Sequence, residues 1–554
     1  MSNLTSYVFG LALILGYLGY YSVAQSQTKP IKKTLTGPVS GRVTIKGKGA
    51  PGVVVGLRAG EFTPQPGPLF KATTDQDGKY RIIDVPAGNY QVGPIAPAFV
   101  ISDGPTYGKR LVITEGEAVD GIDFALLRGG VITGKVTDAE GRALIDEPIS
   151  LFRVDPINQR GSAFSFAPTG FQTDDRGIYR MFGVPAGRYK VGQSEDGFYR
   201  SIEEGRPSSK QTFHPDVTDL AKATVIELAE GAEATNIDIT VGRTIQGFSA
   251  RGKVVDGDTG QPVANVRLGL EMMIDEQHSF IPATVASNRL GEFRIENLTP
   301  GKYAVVILPQ QESALRADAV AFEVTDQDIT GLLVKTEKGA SLAGKVVLEG
   351  TDDKTALAKL GQLRVQTYVR SEGLNSGFGQ SSPINADGSF RAGGLGSGIV
   401  NLSLGAQDRS LLKGFVISRI ERDGIVQART LEIKPGEQIT GVRVVVTYGT
   451  ATIRGVVKFE NGSLPTGAQC AVRLVKPGET APDMTMWASQ VDLRGHFVIE
   501  GVAAGSYELS VSAYIPGLRN IEPSSRQQIS VADGAVTEVT LTLDLNQNSG
   551  PRNP

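Results

Sequence analysis

Three histidines, His214, His278 and His496, are all the imidazoles this 554-residue chain offers for acid–base or metal chemistry. A hydrolytic zinc site needs two His and a carboxylate as ligands and a Glu as base. His214 is followed by Pro-Asp-Val and His278 by Ser-Phe-Ile, so neither begins a His-x-x-Glu pair. His496 has Glu500 four residues on, but that segment alternates like a strand, where such spacing does not build the usual ligand pair. No Gly-x-Ser-x-Gly elbow stands out. The single cysteine, Cys470, excludes an intrachain disulfide, a Cys-ligated zinc site and a dithiol redox pair. It lies in the alternating run GAQCAVRLV and reads as a buried structural thiol. These residues argue against an enzyme, and no catalytic residue, metal ligand or cofactor is expected.

The most regular chemistry is a turn that recurs five times. An Asp or Asn precedes a Gly by three, an aromatic follows that Gly by two, and a second Gly follows it by ten. The copies are Asp75-Gly78-Tyr80-Gly88, Asp174-Gly177-Tyr179-Gly187, Asn288-Gly291-Phe293-Gly301, Asn385-Gly388-Phe390-Gly398 and Asp492-Gly495-Phe497-Gly505. Calcium would need six to eight oxygens from a longer run of ligands. The acid is an amide in two copies, so a structural turn is the better reading: Asp and Asn bond the backbone two residues on, and Gly supplies positive φ. A Lys–Asn isopeptide is disfavoured as well. Lys135, Lys253 and Lys345 recur in the first strand, but Arg42 and Val456 stand there in the other two copies.

A binding patch has one candidate location. Repeat two gathers Phe164, Phe166, Phe171, Phe198 and Tyr199 in its loops, near Phe213 and His214. Sugar-binding sandwiches commonly stack flat aromatics on ring faces, and this cluster is the natural place for such a site. Packing of the loops on themselves is the competing reading. The Tyr two residues beyond the second Gly (Tyr90, Tyr189, Tyr303, Tyr507; Val400 in the fourth copy) is better explained as core with its hydroxyl at the rim.

These residues need an array of one small unit to position them, since a fixed spacing recurs at intervals of roughly 100 residues. Each copy opens with a β-branched run carrying a Gly: Gly41, Gly134, Gly252, Gly344 and Gly455. A Gly within a strand marks a bulge or a close backbone approach. The strand after the turn alternates, with Tyr80 and Ile82 on one face and Arg81 and Ile83 on the other. The connection at Val85-Pro86-Ala87-Gly88 has type I turn chemistry. Gly numbers 68, about 12% against a usual 7%, as expected for many turns between short strands. Helical windows are broken by Gly and Pro almost everywhere, except for a short segment beginning near Thr355. The expected fold is all-β: a tandem array of five antiparallel seven-stranded sandwiches. Their bounds are 37–129, 130–244, 245–339, 340–449 (the degenerate copy) and 450–545, with a linker at 25–36 and a disordered tail at 546–554. The short junctions predict domains strung end to end, on the order of 150 Å long if fully extended.

The N-terminal run Tyr7–Tyr21 is almost wholly apolar, and Ser22-Val23-Ala24 offers a cleavage site, so residues 1–24 read as an export signal. Lys29, Lys32 and Lys33 after the run make an uncleaved anchor the alternative. The net charge of −3, without like-charge blocks, gives no reason to expect nucleic acid as a partner. A membrane partner is expected only if the segment stays uncleaved.

The order GkVtD, then TDDRGIYRMFGVPAGRYKV, then a closing GIDFALL-type strand resembles the carboxypeptidase regulatory-like domain, a transthyretin-like (prealbumin-like) β-sandwich. The likeness runs from about Val39 to Leu545, and Arg200–Leu228 resembles the long loop and strand of multi-copy secreted bacterial versions. The resemblance implies a fold and no activity, since such domains accompany many unrelated partners. The expected function is an exported, non-catalytic spacer or adhesion module of the bacterial envelope, periplasmic or at the surface. Its partner would be an envelope protein or a polysaccharide, and carbohydrate binding through the loops is the alternative.

Overall fold

In the computed structural model of the chain, residues 35–59, 69–102, 108–154, 171–193, 210–242, 247–274, 277–308, 314–370, 379–427, 430–464, 468–477, 488–514 and 526–545 are described. The leader, most of the linker and the tail expected from sequence lie outside them. Strands dominate, and the one α-helix among the described residues is Lys354–Leu360. It falls where the sequence places a helical insertion. Asp353 caps it, its side chain accepting the Thr355 N–H at 2.8 Å, which satisfies one of the orphan donors of a helix start.

Strands form because β-branched and aromatic residues alternate with polar ones between Gly turns. The Gly-bearing opening strands are Thr36–Ile45, Gly130–Thr137, Phe248–Asp256, Ala340–Glu349 and Ala451–Glu460. Each pairs antiparallel with the strand that follows the Asp/Asn turn: Lys79–Pro86, Ile178–Val184, Glu292–Leu298, Ser389–Leu395 or His496–Val502. On its other side it pairs in parallel with the closing strand of its own repeat, in registers such as Val43↔Phe124, Val136↔Ile239, Gly252↔Leu332, Gly344↔Val442 and Gly455↔Val539.

This corrects the expectation of purely antiparallel sandwiches. The first and last of an odd number of up-and-down strands point the same way. Where they become neighbours the pair must be parallel, and the sheet is mixed.

The second sheet of each repeat is antiparallel. Its centre pairs the second strand with the strand that starts at the second Gly, as in Val54–Ala59 with Gly88–Ile95 and Gln469–Val475 with Gly505–Tyr514. Its outer edge is Lys109–Ile113, Ile226–Leu228, Val320–Val324, Thr430–Ile433 or Arg526–Val531. Between the two sheets the buried side chains form large clusters within residues 39–126, 132–241, 248–334, 340–446 and 451–543. Tyr80 and Ile82 are buried and Ile83 is 62% exposed, the alternation the sequence predicts.

The units are tightly joined. A Cβ on Gly129 would lie 2.4 Å from the Gly183 Cα, and one on Gly339 2.7 Å from the Gly394 Cα. Lys413 of the fourth repeat and Glu500 of the fifth pair at 2.6 Å. An extended rod is not what the chain forms, because its first and last repeats touch. Arg494 Nη1 lies 2.7 Å from Glu117 Oε1, and the Val112 N–H donates to Asp492 Oδ2 at 3.1 Å.

Candidate functional site

The recurrent turn is the first candidate, and its polar atoms are engaged by its own backbone. Asp75 Oδ1 accepts the N–H groups of Asp77 and Lys79 at 2.9 and 2.8 Å. Asp174, Asn288 and Asp492 make the same two bonds, to Arg176 and Ile178, Leu290 and Glu292, and Arg494 and His496. In the fourth copy Asp387, two residues after Asn385, takes over and accepts from Ser389. Gly78 and its counterparts have φ between 72° and 83°, where a Cβ is disfavoured. Asp174 is held below its usual range first by its side-chain bond to Arg176 and then by the backbone N–H bonds. The turn needs a carbonyl or carboxylate oxygen and nothing more, so Asn serves as well as Asp.

The aromatics of the motif are also explained within the fold. Tyr80 and Tyr179 are buried, and their hydroxyls donate to the Ile122 and Ile237 carbonyls, two residues ahead of the closing strands Phe124–Arg128 and Ile239–Thr240, at 2.6 and 2.5 Å. Burial pushes both phenols well above the ordinary tyrosine value. Tyr90, Tyr189, Tyr303 and Tyr507 reach back four residues to the carbonyls of Pro86, Pro185, Thr299 and Ala503 at 2.7–2.9 Å. Burial raises the first three of these phenols as well. This is a Tyr-to-backbone corner of the kind that fixes β-sandwich connections. Val400 fills the place in repeat four and is fully buried.

Of the loop cluster in repeat two, Phe164, Phe166, Phe198 and Tyr199 lie outside the described residues. Phe171 is half-buried against the repeat's core and meets Phe182 edge-on, centroids 5.9 Å apart. Phe213 is only 4% exposed and packs edge-on against Phe152 at 5.5 Å, beside Ala223, Val217 and Leu220. Its ring is not part of an exposed patch; it is the centre of a small satellite core that tethers residues 210–224. His214 follows a different line: its Nδ1 lies 2.7 Å from the Asp238 carbonyl oxygen and its N–H donates to Val191.

Two features escape a residue-by-residue reading. Four residues before each second Gly the backbone is left-handed, at Asp84, Gly183, Asn297, Gly394 and Gly501. In repeats two to five the glycine at the junction leading into the repeat packs on this kink: Gly129 on Gly183, Gly247 on Asn297, Gly339 on Gly394, and Gly449 on Gly501 and Val502. The recurrence of Asp, Asn or Gly at that offset is the signal that could have found it, because these are the residues that tolerate positive φ. The second feature is Val112, on the outer edge of the first repeat, which is only 4% exposed and donates its backbone N–H to Asp492 of the fifth.

Comparison with known proteins agrees with the fold. A family model for the second β-sandwich domain of a NOMO1-like BOS complex subunit matches residues 245–331, the third repeat. No curated protein matches the chain. Among solved structures it is similar to a Streptococcal ancillary pilin, at 15% identity and a TM-score of 0.25 over 54% of this chain and 99% of that one. It is similar also to the Bacillus anthracis TIE protein, at 13% identity and a TM-score of 0.16 over 75% of each chain. A third is BcpA, the major pilin subunit of Bacillus cereus, at 12% identity and a TM-score of 0.15 over 55% of this chain and 99% of that one. Superpositions this loose carry no functional argument, and the shared β-sandwich domain of residues 245–331 is the likeness that stands.

Proposed function

We propose that the chain is an exported, non-catalytic scaffold of five prealbumin-like β-sandwiches of the carboxypeptidase regulatory-like type, each on a seven-strand plan. It would serve as a spacer or interaction module of a bacterial envelope. The observation that carries this reading is that the chemistry repeated in the array closes on the fold itself. Turn carboxylates bond their own backbone, and tyrosine hydroxyls bond carbonyls of their own repeat. A repeated catalytic or ligand site would leave such groups aimed at a common space. Among the described residues no group of three or more His, Cys, Asp and Glu side chains is placed to hold a metal ion.

Export is tested by cell fractionation with N-terminal sequencing of the product. A periplasmic or external protein beginning at residue 25 supports the reading. A cytoplasmic protein retaining Met1 overturns it.

One observation favours glycan binding as a second reading. Phe182 is 42% exposed beside half-buried Phe171, which offers an aromatic face on the sandwich that bears the loop aromatics. Affinity electrophoresis on a polysaccharide panel tests it, with Phe182→Ala and the pair Phe198→Ala and Tyr199→Ala as variants. Retardation that the variants lose supports a sugar site; free migration on every polysaccharide removes it.

A further inference from the structure

Four of the five turns have the same internal chemistry and the fourth copy a variant of it, but only one of the five is buried. Asp75, Asn288 and Asn385 are exposed and Asp174 is partly so, whereas the Asp492 side chain has no exposure at all. What covers it is the outer edge strand of the first repeat, Lys109–Ile113. Asp492 Oδ2 accepts the Val112 N–H, and Arg494 Nη2 donates to the Val112 carbonyl. Arg494 Nη1 also donates to Glu117, whose other oxygen accepts the Thr114 N–H and hydroxyl. One turn thus satisfies both backbone groups that Val112 presents at the free edge of the first sandwich.

The edge is itself unusual. Leu111 and Ile113 belong to the first core, so Val112 between them points to the other face, yet it is only 4% exposed. The other repeats place Glu227, Glu323, Glu432 and Ser530 in the same register, one residue before the partner of the second Gly, and all four are exposed. Charged side chains on an edge strand are a device against unwanted pairing. At this register the first repeat lacks that device, its Lys109 and Arg110 lying at the other end of the strand, and it has instead an apolar residue whose backbone the fifth repeat binds.

We propose that the Asp492–Arg494 turn is a clasp, and that the edge strand Lys109–Ile113 is the docking edge reserved for it, so that one chain closes on itself from first repeat to last. Closure goes beyond the scaffold reading and holds or fails independently of export. Small-angle scattering on the full chain tests it. Five bodies of about 30 Å closed on themselves give a maximum dimension of roughly 80–90 Å, against on the order of 150 Å extended. Wild type is expected near the smaller value at every concentration. Val112→Glu installs the residue that repeats two, three and four carry at this register, so the first sandwich is expected to fold while the clasp is repelled. Arg494→Glu attacks the same contact from the other side, with circular dichroism reporting folding. Both variants are expected to lengthen the particle about 1.5-fold or more. An extended wild type, a folded variant that stays compact, or a wild-type mass that grows with concentration as fifth repeats dock on other chains would each overturn the proposal.

Discussion

Gly134→Ala in the second repeat is the sharpest test of how these sandwiches are closed. The Gly134 backbone has no positive φ, so the substitution carries no conformational penalty and its whole cost is steric. An alanine Cβ would lie 1.9 Å from the Ile237 carbonyl oxygen and 2.8 Å from the Tyr179 hydroxyl. The closing strand would have to retreat by more than an ångström from a parallel pairing that buries Ile239 completely. Overpacking of this kind costs about 1–3 kcal/mol. Retreat also separates the Tyr179 hydroxyl from Ile237, and a buried hydroxyl left without an acceptor costs about 1–3 kcal/mol more. The expected loss is about 4 kcal/mol, or nearly a thousandfold faster exchange of amides whose protection depends on this sheet. Tyr179→Phe is the control. It removes the hydroxyl and leaves the backbone contact, and repeats three to five already hold Phe293, Phe390 and Phe497 there. Its expected cost is about 1 kcal/mol, roughly fivefold. Peptide-resolved hydrogen exchange on the full chain reads both, with the other repeats as internal standards. An acceleration under about tenfold for Gly134→Ala, or one no larger than that of Tyr179→Phe, refutes the argument that the strand glycine exists to admit the closing strand.

Burial pushes the Cys470 thiol up to about 12, so a disulfide-exchange reagent at neutral pH is expected to leave the folded protein unmodified and to label it only as the fifth repeat unfolds; rapid labelling of the native chain would contradict the packing of strand Gln469–Val475. Gly449→Val places a side chain where even a Cβ would lie 2.2 Å from the Ala503 nitrogen, so the junction between repeats four and five is expected to open and limited proteolysis there to quicken about tenfold or more; an unchanged cleavage pattern would show the contact to be slack. Burial raises the Glu117 carboxyl, but hydrogen bonds from Thr114 and Arg494 outweigh it and hold the group below its ordinary value. A depressed carboxylate contributes stability that is present above its unfolded value and lost as the pH falls through its folded one, so the clasp is expected to persist to the lower edge of the usual carboxylate range and release in stronger acid; scattering across that range while circular dichroism stays native checks it, and a contact that loosens already near neutrality counts against Glu117.

What the sequence made legible was local chemistry. The Asp/Asn turn could be read because its side chain bonds a backbone group two residues on, a distance within one glance along the chain. The alternation of Tyr80, Ile82 and Ile83 and the capped helix at Lys354 are equally short-range. Gly134 was visible as an anomaly inside a strand, but its reason was not, since the carbonyl that crowds it belongs to Ile237, about a hundred residues later. The parallel pairing of first and last strands was hidden for the same cause. Phe213 misled in the opposite direction. An aromatic in a polar loop looks available for stacking, yet the loop folds back and buries it on Phe152.

The contrast among the edges bears on where function in such an array can reside. A repeated motif whose polar atoms are all engaged by its own repeat is under a folding constraint, and it can acquire a second role only where a neighbour changes. The Asp492 turn keeps the same two backbone bonds as the Asp174 turn, and Arg494 still bonds its own aspartate as Arg176 does. The difference lies in the partner surface, where Val112 stands in a register held elsewhere by Glu or Ser. An exposed Val in that position would leave the part of the edge beyond Lys109 and Arg110 without a guarding charge, open to pairing with an extended strand. Covering it with a turn already part of the fold, which has Arg494 where repeats one, three and four have Asp77, Leu290 and Asp387, removes the hazard without a new element, and it makes the two ends of the chain mutually dependent. The closed form therefore rests on Val112 at one edge and Arg494 in one turn, positions at which the repeats differ, which is why the recurrent pattern alone gave no sign of it.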